Sequence, residues 1–366
     1  MLTILYREEL KEYDFGPGHH FRGDRYQTFP VFLKDKLPDG TYRVLLAKSA
    51  SDKDLCLICN KDYIAFNKGY YAAANAGLTY PGDFSRFQSK DNKPKGRPGK
   101  VEAAARLVIG QAKLAADLIQ TDGAEKVVSI GGGLHHAKPD YGEGFCIYND
   151  VAFCAKYLQQ KYKLERILIL DTDAHAGNGT AGYFAEDPTV LFIDLHQDPR
   201  TVYPGTGFPN QIGTGKGKGF TINVPMPLYS GQESYRLVFE EIVRPVAEEF
   251  RPQIIIRNGG SDPHVSDGLT SLGLEVDGFK LIGEQVREIS RLCDEKVIDL
   301  IASGYNKRVL PHAWLALICG LAGIDVPLRD PRPAPPWLNI DHSLTDVKIV
   351  IRDVKNYLKD YWNCLR

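Results

Sequence analysis

Asp173 and His175 stand two residues apart in DTDAHAGNGT, directly after the apolar run ILIL. On an extended segment, residues at i and i+2 point the same way. One carboxylate oxygen and one imidazole nitrogen then reach a single ion. Asp262, in NGGSDPHVSD after QIIIR, offers a third ligand from another strand end. Two carboxylates and one imidazole leave a coordination position open, as a catalytic zinc site requires. Read alone, a DxH pattern is equally an ordinary loop hydrogen-bond network. Adjacent His135 and His136 have no nearby cysteine and need not be ligands. Beside such a metal, an imidazole suits a general base that later serves as general acid. That role needs a partner on the other ring nitrogen, and Asp171 and Asn178 are the candidates. Tyr305, after a Ser-Gly pair, is placed to donate a hydrogen bond to a developing oxyanion. Each residue taken singly also has a bland reading as a packed or half-buried polar side chain.

These residues need strand ends to carry them. Short β-branched runs recur at Tyr42–Ala47, Lys126–Ile130, Arg166–Leu170, Val190–Leu195, Phe220–Val224, Gln253–Arg257 and Val297–Ala302. Several are almost continuously apolar, as strands covered on both faces are. Helical patterns fall at Val101–Gln120, Asn149–Tyr162, Ser234–Phe250, Asp277–Arg291 and His312–Ala322, with a terminal helix near Leu344–Trp362. The alternation predicts an α/β fold: a mainly parallel central sheet with helices on both faces. Ligands bind such sheets beyond the carboxyl ends of the strands. After KVVSI, RILIL, QIIIR and VIDLI come GGGLHHAKPD, DTDAHAGNGT, NGGSDPHVSD and ASGYN, so His, Asp and Tyr recur at four strand ends.

The bulk numbers bound the function classes. The chain has 366 residues, with 45 basic and 46 acidic side chains and a formal net charge of -1, which gives no reason to expect direct nucleic-acid binding. No apolar run approaches the ~18 residues of a membrane span, and the N-terminus turns charged too early for a secretory signal. The seven cysteines fit reduced thiols and a cytoplasmic setting. Cys56 and Cys59 form a lone CxxC, read as two buried small hydrophobes. Asp83–Lys100 is polar, basic and broken by Pro and Gly, and reads as a surface loop. Val326–Trp337 is proline-rich and expected to be extended. The expected organisation is a catalytic domain over residues 1–325, with 326–366 forming the proline-rich segment and a helix packing back on the same domain.

Six stretches, in order along roughly residues 1–325, resemble the histone deacetylase superfamily, which includes bacterial acetoin-utilisation deacetylases and acetylpolyamine amidohydrolases. They are YDFGPGHHFRGDR, GGGLHHAKPDYGEGFCIYND, DTDAHAGNGT, DLHQDPRTVYPGTG, GGSDPHVSDGL and SGYN. The resemblance implies a single-domain arginase/deacetylase-like fold and roles position by position. Asp173, His175 and Asp262 match the zinc ligands. His136 matches the general base and acid, and His135 its electrostatic partner. Asp171 and Asn178 match the residues orienting those histidines, and Tyr305 the tyrosine that polarises the carbonyl. Phe145, with Gly144 beside it, and Tyr203 match the walls of an acyl-lysine channel. Leu269 matches a residue at its mouth, and Asp83 a rim aspartate holding substrate backbone. Arg25 matches an internal arginine. Asp171 and Asp194 fall where the family binds a structural potassium ion.

This chain departs from the family at Ala176, where a second histidine is common. It also departs at Ser303, where glycine is usual and the side chain is expected to narrow the inner channel, and at Tyr203, where phenylalanine is common. The implied reaction is zinc-dependent hydrolysis of an acetylated lysine in a peptide or protein, releasing acetate. The alternatives are an acetylpolyamine or other small acetylated amine, an arginase-like two-manganese hydrolase, or a silent binding module. Gly131–Gly133 as a phosphate loop lacks the rest of any phosphate-binding motif.

Overall fold

The computed structural model describes residues 2–342 and 344–366. Eight strands, β1 (Leu2–Leu5), β2 (Tyr42–Leu45), β3 (Lys126–Ile130), β4 (Ile167–Asp171), β5 (Val190–Gln197), β6 (Thr221–Met226), β7 (Ile254–Asn258) and β8 (Val297–Ile301), form one parallel sheet. Their order is β2-β1-β3-β8-β7-β4-β5-β6. β4, β5, β7 and β8 are buried along their whole length, which is why their sequences run apolar without alternation. Each strand expected from sequence is present within a residue or two. β1 was not expected: LTIL is short, lies at the chain start and merges into a charged segment. β2 lies at the sheet edge, and Val44 on it is exposed.

The chain divides into two compact units, Met1–Lys163 with Ile298–Ala302 and Leu164–Val297 with Ser303–Arg366. In the first, helix Val101–Thr121 packs on β3 and on helix Asp150–Tyr162. Helices Arg25–Lys36 and Lys61–Ala76, absent from the sequence reading, also belong to it. The basic segment is a surface loop, as expected, but it is pinned inward at points along its length. Gln88 and Asn92 within it are buried, with Gln88 Nε2 donating to Asn67 Oδ1 at 2.6 Å and Asn92 Nδ2 to the Cys146 carbonyl at 3.0 Å. The cysteine pair also differs from expectation: Cys59 is buried, but Cys56 is exposed on the turn after Asp52–Leu55.

In the second unit, helix Val276–Ser290 packs against helix Leu310–Ala322 through facing glycines. A Cβ at Gly283 would lie 2.3 Å from the Leu317 carbonyl oxygen, and one at Gly320 2.2 Å from that of Lys280, so these backbones approach too closely for any side chain. The helix expected over Ser234–Phe250 is instead Gln232–Val238, a π-turn at Phe239–Val243, and Arg244–Phe250. Pro245 has no N–H to donate, and the bonding slips by a residue before it. The terminal helix Leu344–Leu358 buries Val347, Ile351, Val354 and Leu358 and packs on β6 and on Gln232–Val238. Trp362 beyond it donates Nε1–H to the Gly219 carbonyl at 2.8 Å. Among the described residues, no helix is long and apolar enough to cross a membrane.

Candidate metal centre and strand-end site

β4 ends at Asp171, whose register partners are Asp194 on β5 and Asn258 on β7. Asn258 Nδ2 donates to Asp171 Oδ2 at 2.8 Å, and the backbone N–H of Asp173 donates to Asp171 Oδ1 at 3.1 Å. Asp171 thus braces the segment that carries the next two polar residues. His175 Nδ1 lies 3.1 Å from Asp173 Oδ1 and 3.0 Å from Asp262 Oδ2. One ligand atom from each of Asp173, His175 and Asp262 lies within 4.8 Å of the others, and all three residues are buried. This is the one such group among the described residues.

Burial opposes a charged imidazole at His175, but the hydrogen bonds and charges of Asp173 and Asp262 outweigh it and lift His175 to about 10. Burial, reinforced by repulsion from Asp173, pushes Asp262 up to about 7 despite the pull of His175. Two buried carboxylates facing one another demand a cation. The protonated imidazole answers that demand in part, and a divalent ion at the same point answers it in full. Two carboxylate oxygens and one ring nitrogen converging on one point fit such an ion.

Tyr305 is half-buried, its ring 6.4 Å from that of His175 and perpendicular to it. Its backbone N–H donates to Asp267 Oδ2 at 2.7 Å, and Asp267 Oδ1 accepts the Leu269 N–H at 2.9 Å. One carboxylate therefore holds both loops. Gly304 before Tyr305 has φ +124, and a Cβ there would meet Ser261 Oγ at 1.8 Å. Tyr203 is 42% exposed on the loop after β5.

The first unit carries the other candidates. His135 and His136 follow β3 and are buried, with their Nε2 atoms 3.1 Å apart. A Cβ at Gly144 would lie 2.1 Å from His136 Cδ2, so only glycine fits against that ring. Phe145 lies edge-on to His19 at 5.0 Å, and its carbonyl accepts the Tyr13 hydroxyl at 2.7 Å. Arg25 is buried, with one guanidinium nitrogen 2.8 Å from the Ala302 carbonyl and the group stacked 4.0 Å above the Phe21 ring. Asp83 is exposed and caps the turn Phe84–Arg86, accepting from Ser85 N–H at 3.0 Å and Ser85 Oγ at 2.6 Å. Asn178, in the second unit, begins the helix Asn178–Phe184.

The histone deacetylase domain model matches residues 16–321. The chain belongs to the histone deacetylase family. It is 35% identical to a probable deacetylase of Archaeoglobus fulgidus, over 99% of both chains. It is 32% identical to the acetoin utilization protein AcuC of Staphylococcus aureus, over 92% of this chain and 85% of that one. The Bacillus subtilis AcuC is 31% identical over the same shares. The crystal structure of the HDA15 HD domain superposes with a TM-score of 0.82 at 24% identity, covering 100% of this chain and 96% of that one, a likeness of fold.

In this family member, three further residues support the site, and Ser303 does so beyond its departure from glycine. Asp150 Oδ1 accepts the Leu134 N–H at 2.7 Å and its Oδ2 the Gly133 N–H at 2.8 Å, fixing the backbone just before the paired histidines. Asn149 Nδ2 donates to the carbonyls of His135 and Ala137, each at 3.1 Å. His196, fully buried, bridges Asp194 Oδ1 at 2.9 Å and the Gly207 carbonyl at 2.9 Å, tying down the loop after Tyr203. Ser303, which replaces the usual glycine, donates its hydroxyl to Asp262 Oδ1 at 2.8 Å. The first three lie inside the motif stretches, as in YND and DLH, and that placement is the signal that marks them. Ser303 has none, because its partner lies 41 residues away.

Proposed function

We propose that this chain is a zinc-dependent deacetylase that hydrolyses the acetyl amide of an acetylated lysine in a peptide or protein. The observation that supports it most is the buried convergence of Asp173, His175 and Asp262 in a chain of this family. These three residues hold the ion, which when bound supplies a Lewis acid for the acyl carbonyl. His136 takes the proton of the attacking water and returns it to the departing amine, with His135 as its electrostatic partner and Asp171 and Asn178 as orienting groups. The Tyr305 phenol donates to the carbonyl oxygen as negative charge develops. The products are the free amine and acetate. Gly144, Phe145, Tyr203 and Leu269 guide the lysine stem, Asp83 holds substrate backbone at the rim, and Asp171 and Asp194 would hold a structural potassium ion. All seven cysteines are free, in keeping with a reducing cytoplasm.

The test combines metal analysis of purified protein with acetate release from acetyl-lysine peptides. Asp262→Ala should lose both metal and activity. His136→Ala should keep the metal and lose rate by about 10²-fold. Full activity in a metal-free preparation refutes the proposal.

A further inference from the structure

Tyr305 opens onto a hollow of about 560 Å3 in the second unit. Lys307 and Arg308 follow it in the chain and line the hollow, and Arg332 joins them from the proline-rich segment. Ser266 and Asn306 complete the polar wall, and no carboxylate is among the described lining residues. The backbone under these cations is fixed from within. Asp330 Oδ1 accepts the Arg332 N–H at 2.7 Å, while its Oδ2 meets His264 Nε2 at 3.0 Å and accepts the Val276 N–H at 3.0 Å. Asn306 Oδ1 accepts the Arg308 N–H at 3.1 Å, and its Nδ2 donates to the Ser266 carbonyl at 2.8 Å and Oγ at 2.9 Å. The nearby acids, Asp267 and Asp330, therefore use their oxygens on backbone and on buried His264. Both arginines are exposed. Arg332 also lies beyond residue 321, where the match to the family domain ends.

We propose that this hollow is an anion subsite that receives an acidic side chain neighbouring the acylated lysine of the substrate. The inference rests on the deacetylase reading above. A guanidinium presents a planar fork of donors that pairs with both oxygens of a carboxylate, and two such forks held on pinned backbone select an anion over a neutral group. The same field repels the distal ammonium groups of a polyamine. Tyr305 lines the hollow and also faces His175, so a group bound there belongs to a residue close to the acylated one in the peptide.

Two acetyl-lysine peptides that differ only in Glu against Gln at the flanking positions test the idea on the zinc-loaded protein. The Glu peptide should have the higher kcat/KM by about tenfold at low ionic strength, with the advantage shrinking as salt is added. Arg332→Glu and Arg308→Glu should each bring the Glu-to-Gln ratio to one or below. Fluorescence anisotropy of the labelled peptides gives the same comparison without turnover, and the Glu peptide should bind about tenfold less tightly to Arg332→Glu. Equal kcat/KM and equal binding of both peptides by the wild type overturn the subsite. Inhibition by inorganic phosphate that is lost in Arg332→Glu, with no Glu preference, means the hollow takes a free anion and overturns the substrate assignment. Preferential binding of the Glu peptide with no hydrolysis of either upholds the subsite and overturns the deacetylase reading instead.

Discussion

Gly144→Ala separates the position of His136 from the stability of the fold. Gly144 has φ +58, where an alanine costs about 1–2 kcal/mol, enough to lower Tm by about 1–3 °C in a chain of this size. The added Cβ would also sit 2.1 Å from His136 Cδ2 and 2.6 Å from Cγ. Ordinary contact begins at 3.4 Å, so the ring must retreat by about 1.3 Å or the loop must carry the methyl away. A misplacement of about 1 Å in a positioned catalytic group costs about 10²-fold in rate. The expected result is a folded, metal-loaded protein with kcat on acetyl-lysine peptide reduced by about 10²-fold. Gly123→Ala is the matched control: its φ is +67 and nothing lies within 4 Å of the new Cβ, so it should show the loss in Tm without the loss in kcat. A Gly144→Ala enzyme with kcat within about threefold of wild type would refute the assignment of His136 as the proton-transfer group.

Three further variants test the supporting residues. Ser303→Ala removes the hydroxyl that donates to Asp262, and a chelator competition should show metal affinity lower by about tenfold; unchanged affinity would mean that the bond does not steer the ligand. Burial lifts the Asp150 carboxyl to about 6 from 3.8, against the N–H donors of Leu134 and Gly133. The folded state therefore holds this proton more tightly than the unfolded chain. That contribution is complete below the unfolded value and is lost as pH rises through about 6, so denaturant titrations should show wild-type stability falling by roughly 3 kcal/mol relative to Asp150→Asn between about pH 4 and 7. A pH-independent difference would contradict it. Asp330→Ala leaves the buried His264 ring and the first N–H of helix Val276–Ser290 without their acceptor, and should cost about 1–3 kcal/mol in chemical denaturation, with Asp330→Asn recovering part of the loss.

The sequence by itself carried the sheet and the strand ends at which the polar residues gather. Buried parallel strands must be apolar on both faces, so ILIL and QIIIR could hardly be read otherwise, and the residues after them fall at the carboxyl ends whatever the details of packing. Asp173 and His175 were legible as a pair from their spacing, although they stand on a bend beyond the end of β4 rather than on extended chain. What lay beyond local pattern was decided by tertiary contact. Ser303 reaches Asp262, His264 reaches Asp330, and the basic segment turns inward through Gln88 and Asn92, each across a long stretch of chain that no spacing encodes. The glycines divide the same way. A glycine in a run announces a turn, but that Gly144 exists to admit the His136 ring, and Gly283 and Gly320 to let two helices touch, depends on neighbours that only folding supplies. The cationic hollow beside Tyr305 belongs to this second kind. Arg332 is one more charge in a proline-rich tail until Asp330, bound to a histidine 66 residues earlier, sets it at the rim.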